Sequence, residues 1–142
     1  MSMSTGVTAL DHSVQEINVW LKAIDEQLAL ENRHQAYSAL RAVLHALRDR
    51  LPPEVVVKLG AQLPIMVRGI YYEGWRLAAT PTKERHIEEF AAHVAKELPP
   101  QFPLTALGAA RGVYAVLWEK LDPGEFEKLM AHLPAALRNL QG

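Results

Sequence analysis

Leu51–Arg68 reads LPPEVVVKLGAQLPIMVR, and further along Leu121–Arg138 reads LDPGEFEKLMAHLPAALR. Both stretches open on leucine with proline two residues later. Both carry Lys-Leu, then Ala-x-Leu-Pro, and both close on arginine four residues after that proline. Laying the chain over itself at an offset of 70 residues pairs positions 12–72 with 82–142, and 15 of the 61 pairs are identical. An Ala- and Leu-rich composition gives about five by chance. Trp20/Phe90, Ile24/Val94, Val67/Leu137 and Ile70/Leu140 are apolar on both sides. The repetition is read as an internal duplication.

Each copy reads as four helices. Val14, Ile17, Leu21, Ile24 and Leu28 recur at helical spacing. Asn32 is placed to cap a second helix with the stripe Ala36, Leu40, Val43, Leu44 and Leu47. Pro52-Pro53-Glu54 ends that helix and opens a third, with proline in the first turn where its missing N–H costs little. Pro64 stops the third and opens a fourth that runs to about Tyr72, before Gly74. In the second copy, Thr80-Pro81 is expected to start a helix ending near Leu98, ahead of Pro99-Pro100. The next runs from about Leu104 to Lys120, and Asp122-Pro123-Gly124-Glu125 has the order of a capping box. Gly108 and Gly112, matched to Ser38 and Ala42, predict close backbone approach by another helix, since glycine inside a helix otherwise costs about 1 kcal/mol relative to alanine.

No window shows the sustained alternation of a strand. The expected fold is therefore all-α: a tandem duplication of a four-helix repeat with a period of 70 residues, packed into one helical domain. A copy of about 60 residues buries too little surface to stand comfortably alone. The expected organisation is a flexible N-terminus at 1–11, repeat 1 at 12–76 and repeat 2 at 77–142, the two sharing one core.

Composition narrows the function. Residues 1–76 hold eight Lys/Arg against eight Asp/Glu, and residues 77–142 hold seven against eight. Neither half offers the clustered positive charge that displaces counterions from nucleic acid. Cysteine is absent, so disulfides, thiolate metal sites and cysteine nucleophiles are excluded. No apolar run approaches the roughly 20 residues that span a bilayer, and MSMSTGVTALD lacks a signal peptide's charged start and apolar stretch. The expected location is cytoplasmic, with no membrane and no nucleic-acid partner.

Leu63–Trp75, LPIMVRGIYYEGW, together with Ala39–Glu54, ALRAVLHALRDRLPPE, resembles the bacterial family called domain of unknown function 2267, over about residues 12–140. The resemblance implies an all-helical, duplicated bacterial protein, and it brings neither an activity nor catalytic residues. The second copy ends LPAALRNLQG and departs from the first by lacking its Tyr-Tyr-Glu-Gly-Trp tail. Any task that depends on that tail belongs to the first copy.

Candidate chemistry is sparse. His86, Glu89 and His93 fall on one helix face at steps of three and four, a spacing that can supply metal ligands. The surrounding KERHIEEFAAHVAKE reads more simply as a solvated face with i,i+4 charge pairs. Glu31 and His34 form one Glu-x-x-His pair, whereas a di-metal bundle needs two, and the matched positions are Gln101 and Leu104. None of the four serines sits in a nucleophile elbow, and there is no Gly-rich phosphate loop. No catalytic residue, metal or cofactor is expected. Arg41/Arg111 and Arg68/Arg138 recur in both copies and are candidates for a structural role, such as capping helix C-termini, or for an anion site. Tyr71, Tyr72 and Trp75 are the candidate interaction residues, because consecutive aromatics on a helix cannot all face one core and Tyr and Trp are enriched where partners bind. The expected function is a non-enzymatic protein-interaction or self-association module, a homodimer included. The alternative is a stress-related small-ligand or anion-binding protein using the groove between the repeats.

Overall fold

The computed structural model describes residues 4–142. They form seven α-helices and two short 3₁₀ turns, with no strand among the described residues. The helices are α1 (Thr8–Leu28), α2 (Arg33–Arg50), α3 (Pro53–Gln62), α4 (Ile65–Tyr72), α5 (Ile87–Ala95), α6 (Ala106–Lys120) and α7 (Pro123–Met130). The 3₁₀ turns cover Leu77–Ala79 and Ala135–Leu137.

Local chemistry accounts for most boundaries. Thr5 bonds Asp11 through its N–H and its hydroxyl at 2.8 and 2.9 Å. That contact anchors the first turn of α1, so the helix begins at Thr8, inside the 1–11 stretch expected to be loose; residues 1–3 of that stretch lie outside the described residues. Ala29 takes the left-handed conformation with φ 54° and closes α1. Asn32 Oδ1 accepts from the Gln35 N–H at 3.0 Å and opens α2, as its side chain is suited to do. Asp122 and Thr105 cap α7 and α6 in the same way.

Three expectations need correction. Residues 80–86 do not form a helix, because the segment is tied to the end of α2: Thr82 N–H donates to Asp49 O at 2.7 Å and Arg50 Nε to Glu84 O at 2.6 Å. The second half has no fourth α-helix, only the turn Ala135–Leu137. Gly112 does sit at a close approach, but what meets it is the Leu28 side chain, which an added Cβ would overlap. Gly108 faces its own cap, Thr105, and Leu104, both in the segment just before the helix.

α2 packs against α1, α4, α5 and α6, so it touches both halves of the chain, and α3 packs against α7. One buried apolar cluster runs from Ile17 to Leu140 and draws on both halves. Within it α1 contributes Ile17, Trp20, Leu21 and Ile24, while Val14, expected on the same stripe, is exposed. Two buried tyrosines tie elements together by their hydroxyls: Tyr71 donates to Val56 O at 2.7 Å and Tyr114 to Leu137 O at 2.8 Å.

Candidate functional site

Polar side chains gather where α2 meets the end of α4, the loop after it and α5. Arg41, His45 and Arg48 occur at steps of four and three, so α2 presents them along one side. Arg48 is buried, and its guanidinium donates to Tyr71 O and Glu73 O, both at 2.8 Å, and to Asp49 Oδ1 at 2.8 Å. His45 is buried too, with Nε2 2.7 Å from Ile70 O and Nδ1 2.9 Å from both oxygens of Glu97. Both ring nitrogens thus face acceptors. The last carbonyls of α4 have no partners within their own helix, and the Arg48 guanidinium suits that end of the helix dipole. Arg41 completes the row, reaching Glu97 at 2.6 Å and Glu73 at 2.9 Å. Its ion pair with Glu73 raises the guanidinium's already high pKa further, against a smaller desolvation.

A second cluster adjoins the first. His93 on α5 has Nδ1 3.1 Å from Glu84 and Nε2 3.4 Å from Asp49. Its hydrogen bond with Asp49 raises the imidazole pKa above its usual value; burial opposes this and Glu84 adds to it. Burial pushes the Asp49 carboxyl up, but bonds from His93 and Arg48 outweigh burial and hold it below the usual range. Thr82 Oγ1 donates to Glu84 at 2.8 Å. Asp49 and His93 line a cleft of about 260 Å³ together with Gly74, Arg76, Thr80 and Lys96. Arg76 and Lys96 make no side-chain hydrogen bond or ion pair among the described residues.

The expected interaction residues separate. Tyr71 lies wholly inside the chain, and burial raises its phenol pKa. Tyr72 packs edge-on against Tyr71 with ring centroids 5.0 Å apart, and its ring fills the space that a side chain at Gly60 would need. Trp75 packs tilted against Tyr72, with ring centroids 5.9 Å apart, and donates to Thr80 Oγ1 at 3.3 Å, leaving it half-buried. This trio covers the loop that leaves α4, and Tyr71 is part of the core.

The arginines separate as well. Arg68 donates to Gly60 O and Leu63 O, both at 2.9 Å, and so caps the end of α3, while Arg138 donates to Leu133 O at 2.8 Å in the turn that follows α7. Arg41 joins the cluster on α2, whereas Arg111 is exposed and makes no side-chain hydrogen bond or ion pair among the described residues.

His86, Glu89 and His93 do not share a helix face. His86 stands before the first turn of α5, and Glu89 Oε1 accepts the N–H groups of Arg85 and His86, each at 3.0 Å. Glu31 and His34 are both exposed. No grouping of three or more His, Asp or Glu side chains among the described residues has metal-binding geometry. His45, Arg48, Asp49, Glu84 and Glu97 were not singled out from sequence. For two of them the signal was present: His45 and Arg48 interrupt the apolar side of α2, and a polar group there needs a buried partner.

No helix among the described residues is long and apolar enough to cross a membrane. A family model described as "Uncharacterized conserved protein (DUF2267)" matches residues 17–140, so the chain belongs to that family. No curated protein matches it.

Proposed function

We propose that this member of the DUF2267 family is a non-enzymatic helical module that associates with a second copy of itself through the outer side of α3 and α4. The observation that carries the reading is the exposure of large aliphatic side chains on these consecutive helices: Val57 at 54%, Ile65 at 56% and Met66 at 42%. Each contributes about 1 kcal/mol or more if a partner covers it. The polar residues with well-formed contacts are, by contrast, committed to one another. Arg41, His45, Arg48 and His93 all bond carboxylates or helix-end carbonyls, which suits bracing rather than chemistry on a substrate.

The same reading takes the chain as two copies of a helical repeat with a period of 70 residues, the second copy shortened. In its support, α2 and α6 end at Arg50 and Lys120, and α3 and α7 begin at Pro53 and Pro123. Arg68 and Arg138 donate to Leu63 O and Leu133 O, the same step back in each half. Sedimentation velocity tests the association. The wild type should show a concentration-dependent increase in mass. The double variant Ile65→Lys/Met66→Lys should stay monomeric with an unchanged melting temperature. A wild type that remains monomeric into the submillimolar range sinks the proposal.

A second reading, anion binding in the groove between the halves, is favoured by Arg76 and Lys96 in the 260 Å³ cleft. Inorganic phosphate should then raise the melting temperature of the wild type but not of Arg76→Ala/Lys96→Ala. Equal responses at matched ionic strength would exclude this use of the cleft.

A further inference from the structure

Trp75 and Ile87 both pack on the core, and the chain between them forms a strap tied to the end of α2. No residue from 76 to 84 is buried, and Leu77, Ala78, Ala79 and Pro81 are exposed. Apolar burial therefore does little to hold the strap down. Polar contacts with α2 and α5 hold it instead. Thr82 N–H donates to Asp49 O at 2.7 Å, Arg50 Nε donates to Glu84 O at 2.6 Å, and His93 on α5 bonds the Glu84 carboxylate at 3.1 Å. A segment held by a few surface bonds opens locally, at a fraction of the cost of unfolding the chain.

Among these groups, His93 is the one whose ordinary titration lies near neutral pH. Its two ring nitrogens meet two carboxylates, Nδ1 that of Glu84 on the strap and Nε2 that of Asp49 on α2. Only the imidazolium has an N–H for each. A neutral ring turns a lone pair towards one of them, and one side must then draw back. Asp49 is fixed, because the Arg48 guanidinium holds its Oδ1 at 2.8 Å. The strap has no buried residue to fix it.

The other charges around the ring do not replace this link. Arg48 is spent on Asp49 and on the carbonyls of Tyr71 and Glu73. Arg76 and Lys96 line the same cleft as His93, and positive charge there opposes an imidazolium. α6 and the turn Ala135–Leu137 also pack on α5, but no group on them acts on the ring. The bond to Asp49 raises the His93 pKa against burial, and Glu84 adds to the rise, in agreement with the geometry.

We propose that His93 is a proton-operated latch: as the imidazolium it clips the strap 76–84 to α2, and as the neutral ring it lets the strap go. Arg76, Ala79, Thr80 and Thr82 form one wall of the 260 Å³ cleft, so release of the strap dismantles that wall. The closed form binds the proton more tightly than the open form. Closure is therefore complete below the ordinary value of 6.5 and weakens as pH rises through the higher closed-state value. The latch needs neither self-association through α3 and α4 nor an anion in the cleft.

Amide exchange on the full chain, read by NMR as protection factors so that the intrinsic pH dependence cancels, tests the latch. The Thr82 N–H should be protected at least about tenfold less than core amides such as those of Leu44 and Val113, the mark of local opening. Between about pH 5.5 and about pH 9 its protection should fall at least about fivefold, a low figure for the loss of one charge-assisted bond. The midpoint should match that of the His93 ring, followed by its own resonances in the same samples. His93→Gln should remove the pH dependence. Glu84→Gln removes one of the two carboxylates facing the ring and should move the midpoint to lower pH, and it carries the test should His93→Gln fail to fold. The proposal is overturned if Thr82 protection is flat over this range in the wild type, or if its midpoint departs from that of the ring. It is equally overturned if Thr82 is protected as strongly as the core, or if neither substitution alters the profile.

Discussion

Replacing Arg48 by methionine isolates the central brace of the fold. Methionine keeps an unbranched stem of similar reach, so packing along α2 changes little. What disappears is a buried guanidinium bonded to Tyr71 O, Glu73 O and Asp49. Leaving a buried acceptor unpaired costs about 1–3 kcal/mol, and removing one partner of a largely buried charge pair costs about 3–5 kcal/mol. These effects overlap, and Asp49 retains His93 at 3.4 Å, so the expected loss is about 3–4 kcal/mol. Domains of this size are stable by about 5–15 kcal/mol, which makes that loss a large share of the total. Urea denaturation followed by far-UV circular dichroism reads it directly. With a slope of about 1–3 kcal/mol per molar, the midpoint should fall by more than about 1 M with the slope unchanged. Arg111→Met is the control: the side chain is exposed, and the variant should stay within about 0.5 kcal/mol of the wild type. A loss below about 1 kcal/mol for Arg48→Met would refute the reasoning, because it would mean that water or a rearranged loop replaces the guanidinium at little cost.

His93 should make stability depend on pH. Its pKa is raised on folding, so its contribution is complete below the unfolded value of 6.5 and lost as pH rises through the higher folded value; His93→Gln should flatten that part of a plot of melting temperature against pH. Asp49 acts in the opposite sense, its lowered pKa giving stability present above 3.8 and lost as pH falls through the folded value, so Asp49→Asn should remove part of the acid sensitivity. Tyr71→Phe removes the hydroxyl's bond to Val56 O, a carbonyl that stays inside α3, and should cost about 0.5–1.5 kcal/mol in the same urea assay, with no effect on self-association. Gly112→Ala drives a methyl group into Leu28 and should cost about 1–3 kcal/mol, and Leu28→Ala in the same chain should recover part of it; additive losses would show that the clash is relieved elsewhere.

Much of the architecture was readable because its causes are local. The prolines at 53 and 123, the caps at Asn32 and Asp122 and the stripe on α2 act within a few residues, and each stands where an element begins or packs. The segment 80–86 was not readable. Its sequence can start a helix, but bonds donated by Thr82 to Asp49 O and by Arg50 to Glu84 O hold it extended, and those partners lie more than thirty residues away. The polar clusters were hidden for the same reason. Glu97 looks like one more charge on a solvated face until the fold carries it to His45 and Arg41. The aromatic run after Arg68 suggested a partner surface, whereas the turn of α4 points Tyr71 inward and lays Tyr72 over Gly60.

Self-association through α3 and α4 is tested most directly by distance. The chain has no cysteine, so Met66→Cys introduces a single attachment point for a spin label at an exposed position. In a twofold dimer the same patch meets itself, and a label near its centre lies close to its copy. Pulsed dipolar spectroscopy on the labelled protein should give a defined intermolecular distance, and dilution with excess unlabelled wild type should abolish it. A background decay with no dipolar modulation, from samples concentrated well into the submillimolar range, would contradict the account.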